Sequence, residues 1–340
     1  MDFSDGRAAF RRSSASQRQI AFKQGGLDMQ LRTFGPPAEE LSILRVTEAL
    51  RPIGDYKDRN GYDPAFMGEK LPLPSPAKGK WKDDVVEMLD EARRKGADPT
   101  ELKYRNFSVR MSKSRRAPLV SAVNIDGNLS NRDVNRTDVW RRDPRIPNKY
   151  QNLREAYGNQ NQGFFSRGHM TRREDPNWGK DPKQLEQADA DTFHVTNIAP
   201  QRQGFNAGIW LALEEYVLGN SDNENLKVCV LTGPVMREED PTYYNVKVPI
   251  EFWKVVAFVN GNSKQLTTIG YRRSQAKFLP RPAKAAFVFG NFQDTQVSIA
   301  SIATDTGLNL DDYIAYDVFE GAGANFEVEV ASVADFYLAR

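Results

Sequence analysis

Three apolar runs in the second half of the chain constrain its fold more than any other feature. LKVCVLTGPV (226–235) has the length of a buried strand and ends on Gly-Pro. VKVPIEFWKVVAFVN (246–260) reads as a proline-interrupted edge followed by a second strand, and KQLTTIGYRRSQ (264–275) continues the same sheet. Upstream, FSVRMS (107–112) and PLVSAVNI (118–125) alternate enough to be two strands joined by a basic turn, Lys113 to Arg116. VSIASIATDTG (297–307) reads as a helix closing on Gly307, and the last twenty residues as a polar-rimmed β tail. The pattern predicts an α+β domain: a central, mainly antiparallel sheet flanked by helices.

The first hundred residues read differently. Residues 1–35 are rich in Arg, Gln, Ser and Gly, which gives a basic flexible arm; whether it is simply mobile, touches nucleic acid or docks on a partner stays open. Residues 36–96 are expected to form a helical N-terminal extension with a linker. PAEELSILRVTEALRPIG (37–54) has a proline and glutamates at its start and spaced leucines, as an amphipathic helix does. WKDDVVEMLDEARRKGADP (81–99) places Val85, Val86, Met88, Leu89 and Ala92 on helical spacing, with basic residues late and a stop at Gly96. Between them, residues 55–80 are broken by Gly and Pro and read as an irregular wrap.

Composition removes several classes of function. Forty-seven Lys and Arg against forty-five Asp and Glu leave a net charge of +2 over 340 residues, so a field able to hold a polyanion must be local. A single cysteine, Cys229, excludes an internal disulfide framework and a multi-cysteine zinc site; its apolar neighbours predict a buried structural thiol. No apolar run reaches membrane-spanning length, and the N-terminus lacks the apolar segment of a signal peptide. A cytoplasmic protein without membrane contact is expected, although specialised secretion or a trimmed leader leaves the same sequence. The chain has no GxxxxGK[ST], HExxH or GxSxG motif.

The chemistry concentrates between Phe164 and Glu214. FFSRGHM (164–170) sets a histidine beside an arginine and a glycine. DTFHVTNIAPQRQGFNAGIWLALEEY (191–216) holds two asparagines nine residues apart, Asn197 and Asn206, and a glutamate, Glu214, eight residues beyond the second. Hydrolysis of a phosphodiester requires an activated water, compensation of charge on the phosphoryl oxygens and support for a departing alkoxide. Histidine suits the first task, because its ordinary pKa, about 6.5, leaves it able to take a proton near neutrality. The chain has two histidines, His169 and His194. His194, between Phe193 and Val195, fits a packed, hydrogen-bonded role. Alone, Asn206 reads as a helix N-cap and Glu214 as a solvated helix position; Trp210 and Leu213 read as core. Upstream, residues 128–150 interleave Arg132, Arg136, Arg141, Arg142 and Arg145 with Trp140 and Tyr150. That mixture suits contact with a polynucleotide backbone and equally a salt-bridge network with the intervening aspartates.

SRGH (166–169), TNIAPQ (196–201), FNAGIWLALEEY (205–216), VLTGPV (230–235) and the later FWKVV (252–256) occur in order and together resemble the DNA/RNA non-specific endonuclease family. These are the ββα-metal nucleases, which include mitochondrial endonuclease G and secreted bacterial nucleases. The likeness covers roughly residues 100–315 and implies an endonuclease domain over 97–340. It implies His169 as general base, Asn206 as direct ligand of Mg²⁺ (with Mn²⁺ as the other candidate ion), and Glu214 holding that ion through water. It also implies that Asn197 orients the histidine loop or the phosphate and that Arg167 braces the loop or the phosphate. A further upstream arginine contacts the phosphate, with Arg136 ahead of Arg141 and Arg142. Where the family's motif begins with aspartate, this chain has Ser166, which removes a negative charge. The implied partners are DNA and RNA. A homodimer, and a regulatory protein reached through the N-terminal extension as in a bacterial defence or toxin effector, are the further expectations. The rival reading is a nuclease fold that binds nucleic acid or serves in an assembly without cutting.

Overall fold

The computed structural model describes residues 50–77, 79–135, 139–206, 226–259, 264–279, 295–319 and 327–329. Up to residue 206 lie strands β1 (Leu102–Lys103), β2 (Phe107–Met111), β3 (Pro118–Asp126), β4 (Ser166–His169) and β5 (Ile198–Gln201), with helices α1 (Pro182–Thr192) and α2 (Gln203–Asn206). Then follow β6 (Lys227–Val235), β7 (Thr242–Tyr243), β8 (Val246–Lys247), β9 (Glu251–Val259), β10 (Leu266–Ser274), β11 (Thr295–Val297), helices α3 (Ile299–Thr306) and α4 (Asp311–Ile314), and β12 (Glu327–Glu329).

Eight of these strands form one sheet in the order β1-β2-β3-β6-β9-β10-β11-β12, and each neighbouring pair is antiparallel. The apolar runs are continuous because this sheet is covered on both faces. In β6, Val228 and Val230 enter one buried cluster with Phe107, Val109, Val256 and Ile269. Cys229 and Leu231 enter the other with Val120, Trp253, Val255 and Ile302. Cys229 is the buried thiol that its neighbours predict. Helix α3 ends as expected: the Ser298 side chain caps its start, and Gly307 closes it at φ +67, a left-handed conformation that glycine adopts without a Cβ clash. Of the β tail, β12 pairs with β11, and the other residues of that tail lie outside the described residues.

The N-terminal region departs from expectation. The arm (1–35) and most of the first helix (37–52) lie outside the described residues. The helix expected over 81–96 does not form; single 3-10 turns occur at Lys80–Lys82 and Asp90–Ala92. Between them the backbone is extended: Val85 bridges Ser112, and Val86 N–H donates to the Met111 carbonyl at 2.9 Å. Val86 and Met88 are buried while Glu87 is exposed, a two-residue alternation that the helical spacing concealed. β-Branched Val85 and Val86 favour this state, and backbone past the end of β2 supplies hydrogen bonds that a helix has no need of. The wrap over 55–80 is irregular as expected, yet Tyr56, Tyr62 and Leu71 are core side chains. In the basic turn, Arg115 points inward and pairs with Asp240, while Arg116 meets Glu155 at 3.0 Å.

Candidate active site

The site is built on a second, two-stranded sheet. β4 and β5 run antiparallel, with Ser166 opposite Gln201, Gly168 opposite Ala199 and His169 opposite Ile198. The glycine of the RGH triplet lets the Gln201 side chain lie directly over β4; a Cβ there would lie 2.0 Å from Gln201 Oε1 and would push that side chain aside. Helix α1 lies in the connection between β4 and β5, and helix α2 starts two residues after β5, so the two paired strands are followed by a helix. Side chains alternate along a strand, so Arg167 and His169 share one face and Ser166 and Gly168 the other. The charge lost at Ser166 therefore belongs to the face opposite the imidazole.

His169 is partly buried against two aromatic rings. The Trp140 ring lies 5.1 Å away centroid to centroid, and Phe193 meets it edge-on at 5.4 Å and 85°. Arg167 reaches the same indole, its guanidinium carbon 5.6 Å from the Trp140 ring and 5.0 Å from the Tyr157 ring. Its Nη2 donates to the Leu153 carbonyl at 2.9 Å. Burial pulls the Arg167 pKa down to about 10, against the opposing Tyr157, so the group still carries its charge at neutral pH.

Asn197 uses all its amide valences inside the protein. Oδ1 accepts from Thr171 N–H at 2.9 Å and Ser121 Oγ at 3.2 Å; Nδ2 donates to the carbonyls of Thr171 at 2.9 Å and Thr192 at 3.2 Å. Its own carbonyl accepts from Met170 N–H at 2.8 Å. The residues directly after His169 are thus clamped to the 193–197 loop, and Ser121 ties both to β3 of the main sheet. This geometry fits orientation of the histidine loop and leaves no amide valence for a phosphate.

His194 is fully buried and packed, as its neighbours predict. Nδ1 faces the Asp191 carbonyl at 2.8 Å, an acceptor, and therefore carries the hydrogen; Nε2 then accepts from the Tyr56 hydroxyl at 2.6 Å. Burial pushes its pKa down to about 4, against the nearby Asp143 and Asp191 carboxylates. Around it Tyr104 donates to Asp143 and lies 2.6 Å from Thr196 Oγ1, and Arg145 pairs with Asp143 at 2.7 Å.

Of the arginine-rich stretch, Arg145 is thus an internal ion-pair partner rather than a free cation. Trp140 is buried against His169 and Phe193, so of the two readings of this stretch the polynucleotide contact does not extend to it. Arg141 runs beside the loop, its carbonyl accepting from Val195 N–H at 3.0 Å. Arg136 and Glu214 lie outside the described residues, and Asn206 is the last residue of α2. The structure thus brings His169, Arg167 and Asn197 together. The ring walls Trp140 and Phe193 and the clamp partners Ser121 and Thr171 escaped the sequence reading; the adjacency of Trp140 to the arginines was the one available sign. Among the described residues no group of three or more His, Cys, Asp and Glu side chains is placed to hold a metal.

An antiparallel strand pair carrying a histidine, followed by a helix and set beside a large antiparallel sheet, is a ββα arrangement within an α+β fold. The chain belongs to the DNA/RNA non-specific endonuclease family, which it matches over residues 88–317. It is 34% identical over 309 residues to the uncharacterized protein y4fB of Sinorhizobium fredii, across 84% of this chain and 46% of that protein. To the mitochondrial nuclease EXOG of Danio rerio it is 27% identical over 218 residues, across 60% of this chain and 59% of that one. The chain therefore spans about half the length of the curated relatives it matches. Among solved structures, the EndoG/EndoGI complex, described as revealing the mechanism of EndoG inhibition, contains a chain 23% identical to this one. It covers 67% of this chain and 93% of that one with a TM-score of 0.47.

Proposed function

We propose that this chain is a divalent-metal-dependent endonuclease that hydrolyses phosphodiester bonds of DNA and RNA with little sequence preference. The observation that carries this reading is the family match over residues 88–317, which takes in the whole β4–β5 hairpin with His169 on its clamped strand. His169 takes a proton from the attacking water at an imidazole nitrogen. Trp140 and Phe193 fix the plane of that ring, and Asn197 fixes the backbone behind it. Arg167 keeps its charge on the imidazole's face of the hairpin and braces the loop through Leu153; Arg136 is the first candidate for the upstream phosphate contact, ahead of Arg141 and Arg142.

The donor set suits a hard cation. Asn206 and Glu214 offer amide and carboxylate oxygens, which fit Mg²⁺ or Mn²⁺ better than a soft metal. A cation held there by Asn206, with Glu214 acting through water, supplies charge neutralisation at the phosphoryl oxygens and the leaving group. Contacts to phosphate and sugar carry no direct base information, which accounts for tolerance of sequence and of sugar.

The rival reading is a binding or assembly component that no longer cuts. Plasmid DNA and an RNA transcript are each incubated with the protein in Mg²⁺ and in EDTA. Cleavage of both in Mg²⁺ alone is expected; binding without cleavage in any divalent ion favours the rival. Homodimerisation, and restraint by a partner acting through the N-terminal residues as in a defence or toxin effector, are further parts of this reading that sizing of the full chain tests. Among the described residues no helix is long and apolar enough to cross a membrane.

A further inference from the structure

The family match begins at residue 88, yet a residue well upstream of it reaches the site. We propose that Tyr56 is a positioning residue for His169, acting through His194 on the 193–197 loop. The inference rests on the reading of His169 as general base.

The path is short and made of named contacts. The Tyr56 hydroxyl donates to His194 Nε2 at 2.6 Å, and His194 Nδ1–H donates to the Asp191 carbonyl at 2.8 Å, so tautomer and ring orientation are both fixed. Asp191 is itself held from the same upstream segment: Arg59 donates to its carboxylate from Nε at 2.5 Å and from Nη2 at 3.1 Å. The Tyr56 ring is seated under the Arg145 guanidinium at 4.2 Å. From His194 the coupling runs both ways along the chain. One residue back, Phe193 supplies the edge-on ring beside His169; three residues on, Asn197 clamps Met170 and Thr171.

Packing alone does not explain the hydroxyl, because phenylalanine would fill the same space. What the hydroxyl adds is a donor for a fully buried imidazole nitrogen; without it, that acceptor is left unsatisfied in a site closed to water. The ring can regain a partner only by turning, and turning breaks the Nδ1–H bond to the Asp191 carbonyl that pins the chain on which Phe193 and Asn197 lie. Small displacements of a catalytic group are costly to rate.

The matched control lies in the same segment. Tyr62 also donates or accepts through its hydroxyl, at 3.2 Å from the Tyr313 hydroxyl, but in the apolar cluster on the opposite face of the sheet. The full chain is compared as wild type, Tyr56→Phe and Tyr62→Phe with an oligonucleotide substrate at saturating Mg²⁺, and amide hydrogen exchange is followed at residues 169–171 and 193–197. Tyr56→Phe is expected to lower kcat about tenfold with KM unchanged and to speed exchange in both segments; Tyr62→Phe keeps both at wild-type values. His194→Gln, which retains one acceptor and one donor, recovers most of kcat, whereas His194→Phe does not. Wild-type kcat and exchange in Tyr56→Phe, or equal losses in Tyr62→Phe, overturn the proposal. A wild type that cleaves nothing refutes the nuclease reading instead, and the exchange data then still decide whether Tyr56 orders the loop.

Discussion

The two histidines occupy neighbouring regions that share a loop, yet their surroundings are opposite. His194 is sealed in a polar cage, with Tyr56 on one ring nitrogen, the Asp191 carbonyl on the other, and its pKa pushed to about 4. His169 sits partly buried on β4, its ring gripped by Trp140 and Phe193. Residue type does not separate a proton acceptor from a structural pin. The surroundings do: a fully buried ring with both nitrogens committed to the fold holds the backbone still, and the partly buried ring on β4 is the one this reading gives to the chemistry.

The largest test of this contrast is truncation. A chain starting at residue 97 lacks Tyr56, Val86 and Met88 from one core cluster and Tyr62 and Leu71 from the other, and with them the Tyr56 bond to His194 and the Arg59 support of Asp191. Loss of cooperative unfolding is expected by circular dichroism and calorimetry, since removing even one such side chain costs about 2–5 kcal/mol. A chain starting at residue 50 keeps every contact described above and is expected to unfold cooperatively. It also separates residues 1–49 from the core-forming wrap, so that a regulatory role of the N-terminal extension can be assigned to one part or the other. A stable, active chain from residue 97 would break the claim that the wrap belongs to the core.

Acid comes next. The folded pKa of His194 lies below its ordinary value, so the unfolded chain binds the extra proton between about pH 6.5 and about pH 4, and stability falls as pH falls through that window. Asp143, held low by Arg145 although burial opposes it, loses its contribution in the same direction at lower pH. Tyr56, Tyr104, Asp191 and Arg51 complete the charged and titratable surroundings of the ring, with Asp191 favouring its protonation and Arg51 opposing it. Urea unfolding at pH 7 and pH 4.5 is expected to differ by about 2 kcal/mol in wild type through His194 and by clearly less in His194→Gln. Equal slopes in the two proteins contradict the cage.

The smallest expected effect is at Ser166. Its side chain belongs to the hairpin face opposite His169, so Ser166→Asp, which restores the family's usual residue, should change the Mg²⁺ concentration for half-maximal cleavage by no more than about threefold, or about 0.7 kcal/mol. A shift of tenfold or more would place the missing charge close to the cation after all.

The long strands were legible because burial on both faces leaves an unbroken apolar signature, as in VCVLTGPV. The expected helix over 81–96 failed for a related reason: five apolar residues fit a 3.6-residue period, while the partner that decided the matter, the backbone past β2, lies elsewhere in the chain. The role of the wrap was illegible altogether. Tyr56 and His194 are 138 residues apart, and no local pattern announces such a pair. Trp140 misled because tryptophan among arginines looks the same whether it faces a nucleic acid or seals the wall behind a histidine. The strand pair itself could be found, since SRGH and TNIAPQ act as a set: the two blocks pair with each other, and Gly168 packs under the Gln201 side chain.

The central claim, that His169 takes the proton and His194 holds the frame, is tested most directly by His169→Ala assayed on plasmid DNA in Mg²⁺ alongside its thermal unfolding. Cleavage is expected to fall at least about a thousandfold while Tm stays within about 2 °C of wild type. Full cleavage by a folded His169→Ala protein would contradict it.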